Sequence, residues 1–294
     1  MKKSTYLSIC TLVIAINALA GCATPGASPA GKAKEATAVQ KIAKQRTVVT
    51  KVPVLVKETS FYSDGLVDQY ITYKFDDAKK LLLEKATYDT SRSDPVERLA
   101  FEYKDGRETA ETLYESDGKV RSRRELSYDA KGLLASERVL DSKGTVQSSS
   151  AYAFDAKGRK TEWRVLDASG SAKALTSYVY GTDGLSAIEM RDIGGKVTGT
   201  IKLEYAAGKL DKRSYFGPDG ALQKYEAYVY SGELLSSLES RRADGSLEGK
   251  TAYDYGSSGE LAKASEYDAS GALRSSTGYE YMFREDSSIE TYYE

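Results

Sequence analysis

The chain has 294 residues, with 42 lysines and arginines against 43 aspartates and glutamates, and its net charge of −1 gives no general attraction for nucleic acid. It contains no histidine and only two cysteines, Cys10 and Cys22. Catalytic triads that need histidine and zinc sites built from histidine and cysteine are therefore excluded, together with the commonest general base. No cofactor and no metal site is expected.

The first 21 residues predict an export signal. Met1, Lys2 and Lys3 form a short positive region, and an uncharged apolar stretch follows over residues 6–20. This stretch is too short to span a bilayer comfortably, which favours a signal peptide over a transmembrane helix. The sequence therefore predicts a protein that is exported to the cell envelope.

The signal ends in Leu19-Ala20-Gly21-Cys22, which resembles the lipobox of bacterial lipoproteins. The resemblance implies that Cys22 is the N-terminus of the mature protein and carries acyl chains such as palmitate, which anchor the protein in a membrane. Ala23 at the next position favours the outer membrane, with the periplasmic and surface faces both left open. Because Cys10 leaves with the signal and Cys22 takes the lipid, no disulfide is expected.

Residues 22–46 are rich in Ala, Lys, Gly and Pro and predict a flexible, lipid-anchored tether. From residue 47 to residue 294 the character changes, and the main signal is an internal repeat. Glycines recur at gaps of 11 to 14 residues between Gly106 and Gly271. The longer unit is about 25 residues and is predicted to hold two strands and two turns.

The turn sequences explain the spacing of the glycines. Segments such as Asp155-Ala-Lys-Gly158 suit a type I turn followed by a left-handed residue, because Asp accepts local hydrogen bonds and Gly takes a positive φ without strain. Between turns the side chains alternate, as in Val197, Ile201 and Leu203 against Thr198 and Lys202. A period of two between hairpin turns predicts an all-β antiparallel meander of about 18 strands.

The composition of the repeats restricts how this sheet is arranged. Tyrosine dominates with 23 copies, whereas there are 6 phenylalanines and one tryptophan, which is poor material for a thick sandwich core. An elongated open sheet and a sheet coiled into a superhelix are the main expectation, because near-identical units stack without closure. A closed barrel is the alternative.

The repeats resemble the YD repeat of Rhs-type wall and toxin proteins, and also the MORN-variant repeat. The likeness covers about residues 60–282 and rests on Tyr-x-Tyr segments followed by glycine, such as Tyr178-Val-Tyr180 before Gly184. These families imply encapsulating or binding β-structures and bring no catalytic residue.

The main functional hypothesis is a non-enzymatic binding or scaffold module whose partner is an envelope glycan or a protein. A periplasmic carrier of lipid or lipoprotein is the alternative, and a carboxylate-dependent glycan hydrolase is the second. Tyrosine rings offer rigid, amphipathic contact area, and alternate residues of a strand share a face. The candidate binding residues are therefore the paired tyrosines Tyr178, Tyr180, Tyr228, Tyr230, Tyr253, Tyr255, Tyr279 and Tyr281. They form either an exposed binding stripe or a stripe buried by the sheet itself.

Overall fold

The computed structural model describes residues 43–293, which consist of 18 β-strands and the turns between them. The predicted signal (residues 1–21), the lipidation site Cys22 and the tether up to residue 42 lie outside the described residues. Within them, no helix is long and apolar enough to cross a membrane. The strand count agrees with the number expected from the turns.

The strands follow one another along the chain with short connections. In order they are β1 (Ala43–Tyr62), β2 (Val67–Phe75), β3 (Leu82–Asp89), β4 (Glu97–Lys104), β5 (Arg107–Glu115), β6 (Val120–Tyr128), β7 (Leu134–Asp141), β8 (Val146–Phe154), β9 (Lys160–Asp167), β10 (Ala172–Tyr180), β11 (Leu185–Asp192), β12 (Val197–Ala206), β13 (Lys209–Phe216), β14 (Leu222–Ser231), β15 (Leu234–Arg242), β16 (Leu247–Tyr255), β17 (Leu261–Asp268) and β18 (Leu273–Tyr293).

The turns have the geometry that their sequences predict. At the β8–β9 turn the Gly158 N–H donates to the Asp155 carbonyl at 3.0 Å, and Gly158 has a φ of 77°. One Asp155 carboxylate oxygen accepts hydrogen bonds from the N–H groups of Lys157 and Arg159, both at 2.9 Å. A residue with a side chain is strained at this φ, so the repeated glycines mark the turns.

Each strand pairs in antiparallel fashion with the next one along the chain, as a meander requires. In addition, β1 pairs with β18. The first and last strands therefore join, and the sheet closes into a barrel.

The main expectation of an open or coiled sheet is thus wrong, and its alternative, the closed barrel, is what the chain forms. The physical reason is that hairpin spacing defines pairing between neighbours, which is identical in open and closed sheets. Closure depends on β1 and β18, which have 20 and 21 residues against 8 to 10 in the repeat strands. Residue Lys57 of β1 forms an ion pair of 3.0 Å with Glu280 of β18 across this seam.

The chain divides into two compact units, of which the larger is residues 47–289. The smaller contains, among the described residues, 43–46 and 290–293. Within the smaller unit, Arg46 donates to a carboxylate oxygen of Glu290 at 2.9 Å, and its guanidinium lies 5.8 Å from the ring centre of Tyr292. Residues 43–46, which the sequence assigned to the tether, are part of β1.

Closure can be tested by zero-length carbodiimide cross-linking of an ammonium group to a carboxylate. We expect a Lys57–Glu280 cross-link by peptide mass spectrometry, because the two groups are 3.0 Å apart only if β1 and β18 are neighbours. The Lys209–Glu233 pair, at 2.8 Å, serves as the positive control, and Lys57→Gln removes the expected product. Detection of the control link without the seam link would contradict closure.

Candidate ligand-binding interior

The two faces of the barrel wall differ in how exposed their glutamate side chains are to solvent. Facing residues of neighbouring strands share a face, and the register places Glu111, Glu137 and Glu226 on the same one. Their side chains are 17%, 15% and 17% exposed. On the other face, the side chains of Glu102, Glu125 and Glu162 are 54%, 32% and 26% exposed. We assign the first face to the barrel interior and call it the inward face; the other is the outward face.

An apolar wall covers part of the inward face on four consecutive strands. The register sets Tyr178 of β10 opposite Ile188 of β11, Ile188 opposite Ile201 of β12, and Ile201 opposite Tyr215 of β13. Met190 lies on the same face, opposite Gly199, and its methyl carbon occupies the space that a Cβ at Gly199 would need. We call Tyr178, Ile188, Met190, Ile201 and Tyr215 the apolar wall.

The interior is not filled by a packed core. Among the described residues, the buried apolar side chains are Val54, Ala86 and Ala110, and no large side chain is fully buried. A ring of 16 to 18 strands is too wide for its own side chains to fill, whereas eight strands are filled completely. The five residues of the apolar wall are accordingly only partly covered.

The structure separates the eight predicted tyrosines into two groups with different surroundings. Tyr178, Tyr228, Tyr253 and Tyr279 lie in the middle of the inward face, where burial raises the pKa of each phenol, that of Tyr279 to about 12. They share a face, as the alternation predicts. Whether they bind a ligand stays a prediction.

The other four tyrosines lie at strand ends and fix the barrel rim. Each hydroxyl donates to a backbone carbonyl at the start of the preceding strand, 20 residues earlier in the chain. The pairs are Tyr180 to Lys160, Tyr230 to Leu210, Tyr255 to Leu235 and Tyr281 to Leu261, at 2.9 to 3.1 Å. These hydroxyls are engaged by the protein itself, so this group has a structural role.

Two further rim tyrosines were missed by the sequence analysis. Tyr205 donates to the Leu185 carbonyl at 3.0 Å, and Tyr103 to the Leu82 carbonyl at 2.9 Å. Neither belongs to a Tyr-x-Tyr segment, because Leu203 and Phe101 occupy the earlier positions. The signal that identifies them is the position of the tyrosine directly before the turn, rather than the tyrosine pair.

A second missed feature is an ionic cluster on the inward face of β5 to β7. The Arg124 guanidinium donates to both carboxylate oxygens of Glu111 and, at 2.9 Å, to Glu137. Glu108 is 3.8 Å from Arg124, and one of its carboxylate oxygens is buried with no hydrogen-bond partner among the described residues. Burial and the neighbouring Glu111 raise the pKa of Glu108 to about 7.

A third group of polar side chains borders the apolar wall on the side of β13 and β14. Arg213 is 3.3 Å from Glu226, and the Tyr228 hydroxyl donates to the same carboxylate at 3.1 Å. Burial raises the pKa of Tyr228. On this side of the apolar wall Arg213 and Glu226 are paired with each other, and Lys224, which the register sets opposite Tyr215, lies 5.1 Å from the centre of that ring. Among residues 43–293 no group of three acidic, cysteine or histidine side chains could hold a metal ion.

Comparison with known proteins gives distant similarities only. No family model matches the chain, and no curated protein matches it. A porin-like protein from Bacteroides uniformis is 13% identical, with a TM-score of 0.45 over 78% of this chain and 96% of that one. A porin-like protein from Bacteroides vulgatus is 10% identical, with a TM-score of 0.35 over 78% and 98% of the two chains.

A third similar structure is the TcdB2-TccC3 complex, at 14% identity and a TM-score of 0.29 over 76% of this chain and 16% of the other. These similarities are too low to carry a functional conclusion. They also leave the lipobox and the YD or MORN-variant resemblance as predictions.

The rim role can be tested with Tyr230→Phe, which removes only the hydroxyl. A net loss of about 1 kcal/mol is expected for one hydrogen bond, or about 2–4 °C in melting temperature for a domain of this size. Tyr225→Phe is the matched control, because Tyr225 lies on the outward face and its hydroxyl has no hydrogen bond to another described residue. Equal melting temperatures for both variants and the wild type would contradict the role.

The raised pKa of Glu108 predicts a pH dependence of stability. The folded state favours the protonated carboxyl, so its contribution is fully present below the ordinary value of 4.5 and is lost as the pH rises towards 7. We expect Glu108→Gln to melt above the wild type at pH 8 and to match it more closely at pH 5. The Glu102→Gln control should not melt above the wild type at pH 8, because hydrogen bonds from Arg123 lower the pKa of Glu102. A constant difference between Glu108→Gln and the wild type across this range would contradict the assignment.

Proposed function

We propose that this chain is a non-enzymatic cell-envelope protein that binds or carries an amphiphilic lipid inside its barrel. The apolar wall is the single observation that supports this best. It is a continuous inward row of tyrosine, isoleucine and methionine side chains that the protein leaves only partly covered. Covering an apolar surface of this kind with a ligand is favourable, because it removes apolar area from water.

The polar groups around the apolar wall favour an amphiphile over a purely apolar ligand. Arg124 with its glutamates lies on β5 to β7, and Arg213 with Glu226 lies on β13 and β14. β13 and β14 lie at one edge of the apolar wall, whereas β5 to β7 are separated from its other edge by β8 and β9. A molecule with an apolar chain and a polar head therefore fits the inward face better than a hydrocarbon does.

The outward face supports a barrel surrounded by water. It carries the ion pairs Arg123–Glu102, Arg138–Glu125 and Arg241–Glu239. A barrel wall in contact with lipid needs an apolar outer band instead. The proposed ligand therefore binds inside a barrel that stands in the aqueous part of the envelope.

The envelope location is proposed from the sequence. The export signal over residues 1–21 and a lipid on Cys22 would hold the barrel at a membrane, with the outer membrane favoured. A barrel held next to its membrane is well placed to take up or deliver a lipid.

A hydrolytic function has less support from the ionic cluster. A glycosidase of the usual kind needs one carboxyl as an acid and a second as a free base or nucleophile. Glu108, with its raised pKa, has the property of an acid. Both oxygens of its neighbour Glu111 are bound by Arg124, however, so the second carboxylate is not free to act.

The proposal is tested with Ile188→Glu, which places a charge in the apolar wall. The probe is N-phenyl-1-naphthylamine, whose fluorescence rises in apolar surroundings, displaced by oleate. We expect at least a tenfold loss of affinity, the effect of about 1.4 kcal/mol, because the carboxylate must stay hydrated. Val179→Glu is the matched control, since Val179 lies on the neighbouring strand, on the outward face, and is 45% exposed.

Both variants should retain the melting temperature of the wild type to within a few degrees. Equal affinities of the two folded variants for the probe, or no binding by the wild type, would refute the proposal.

A further inference from the structure

Lys160 is an inward lysine at the beginning of β9. The register shift between β8 and β9 sets Lys160 opposite Phe154 and Glu162 opposite Ala153, so Thr161 is the extra residue of a β-bulge. The bulge turns the Lys160 side chain to the inward face. Its ammonium nitrogen lies 4.6 Å from the ring centre of Tyr152 and 5.6 Å from that of Tyr178.

The Lys160 ammonium group differs from the inward arginines in its partners. Arg124 and Arg213 are bound to glutamates at hydrogen-bonding distance. Lys160 forms no ion pair with any described residue, and burial lowers its pKa, an effect that the more distant Glu137 opposes. The faces of the two tyrosine rings compensate for part of the hydration that the ammonium loses on burial. The ammonium is therefore still able to bind an anion.

The backbone beneath this side chain is held in place. The Lys160 carbonyl accepts the hydrogen bond from Tyr180, one of the rim tyrosines. Another inward lysine, Lys85, meets a single ring at 5.8 Å and lies on β3, away from the apolar wall. Lys224 on β14 also meets a single ring, that of Tyr215 at 5.1 Å, but its side chain is exposed, whereas Lys160 is half-buried between two rings. Lys160 instead contacts Tyr178, which is itself the first residue of the apolar wall.

We propose that Lys160, with Tyr152 and Tyr178, binds the anionic head group of the amphiphile, a carboxylate or phosphate, while the apolar chain lies along the apolar wall. This inference rests on the proposed function and names the ligand class. The ammonium supplies charge-assisted hydrogen bonds to the anion, and the two tyrosine rings hold the ammonium in place.

The distances suit a long-chain ligand. From β9, which carries Lys160, to β13, which carries Tyr215, there are four strand spacings of ~4.8 Å, or about 19 Å across the wall. The row passes through Tyr178, Ile188 and Ile201 without a charged side chain. A head group at Lys160 therefore places an extended acyl chain along the whole apolar wall.

The test compares oleate with oleyl alcohol, which has the same chain and no charge, in wild type and Lys160→Met. Affinity is measured on the full chain by displacement of N-phenyl-1-naphthylamine. We expect Lys160→Met to weaken oleate binding about tenfold, the effect of losing one charge-assisted hydrogen bond, and to leave oleyl alcohol unchanged. Lys160→Arg should retain most of the affinity for oleate.

Lys202→Met is the matched control. Lys202 is also a lysine above an aromatic ring, at 4.9 Å from the Phe216 centre, but it lies on the outward face. It should leave the binding of both ligands unchanged. All three variants are first checked for an unchanged melting temperature. If Lys160→Met does not fold, the binding of oleate and of oleyl alcohol is compared across pH in the wild type and in Lys160→Arg instead.

The outcomes separate this inference from the proposed function. If the wild type binds neither oleate nor oleyl alcohol, the proposed function fails. If both bind and Lys160→Met weakens them equally or not at all, the head-group site alone is refuted. If sodium acetate or inorganic phosphate competes for Lys160 as well as oleate does, the site binds a small anion and the amphiphile assignment is overturned.

Discussion

Closure of the ladder between β1 and β18 is the interaction on which the other features depend. In an open meander the first and last strands would expose unpaired N–H and C=O groups over their full length, which invites association with other chains. In the barrel residues 57–61 of β1 pair with β2, and β1 also pairs with β18. The pairing of neighbouring strands then continues around the ring, and the inward and outward faces become chemically distinct.

Closure also explains how the chain folds with so few buried apolar groups. Among the described residues the buried apolar side chains are small ones, Val54, Ala86 and Ala110. Stability then depends on the ladders, on cross-strand side-chain pairs and on local bonds that fix each hairpin. The rim tyrosines contribute a bond from the end of one strand to the start of the preceding one, and the turn aspartates fix the hairpins. Because each repeat supplies its own bonds, the sequence does not need the large aliphatic residues of a sandwich core.

Much of the local structure could be predicted from the sequence, because strands and turns are encoded within each hairpin. The spacing of Gly144, Gly158 and Gly170 gives the strand number, and alternation shows that Tyr178 and Tyr180 share a face. Closure was not predictable in this way, since it depends on pairing between residues such as Lys57 and Glu280, which are more than 200 positions apart. The export signal and Cys22 rest on the sequence alone.

The candidate site was predicted in part, for a similar reason. Alternation placed Tyr178 and Tyr228 on one face but did not show which face is inward, and a bulge reverses the alternation locally. Lys160 illustrates this, because strict alternation from Trp163 would put it on the outward face, whereas the register shift before Phe154 turns it inward. The ionic cluster of Arg124 was also not predicted, because its glutamates come from different strands and the sequence does not give the register between them.

The inward face combines two properties that a purely structural interior would not need. A core selected for stability alone would be filled, because each apolar side chain left in contact with water forgoes about 25 cal/mol per Å² of its surface. Here the apolar wall stays partly accessible, and Lys160, at its edge, lies beside two aromatic rings and forms no ion pair with any described residue. A bound amphiphile would compensate for both the apolar area in contact with water and the unpaired charge, since its chain covers the wall and its head group pairs with the ammonium. The charge of Lys160 and the shape of the wall are thus complementary to the same class of molecule.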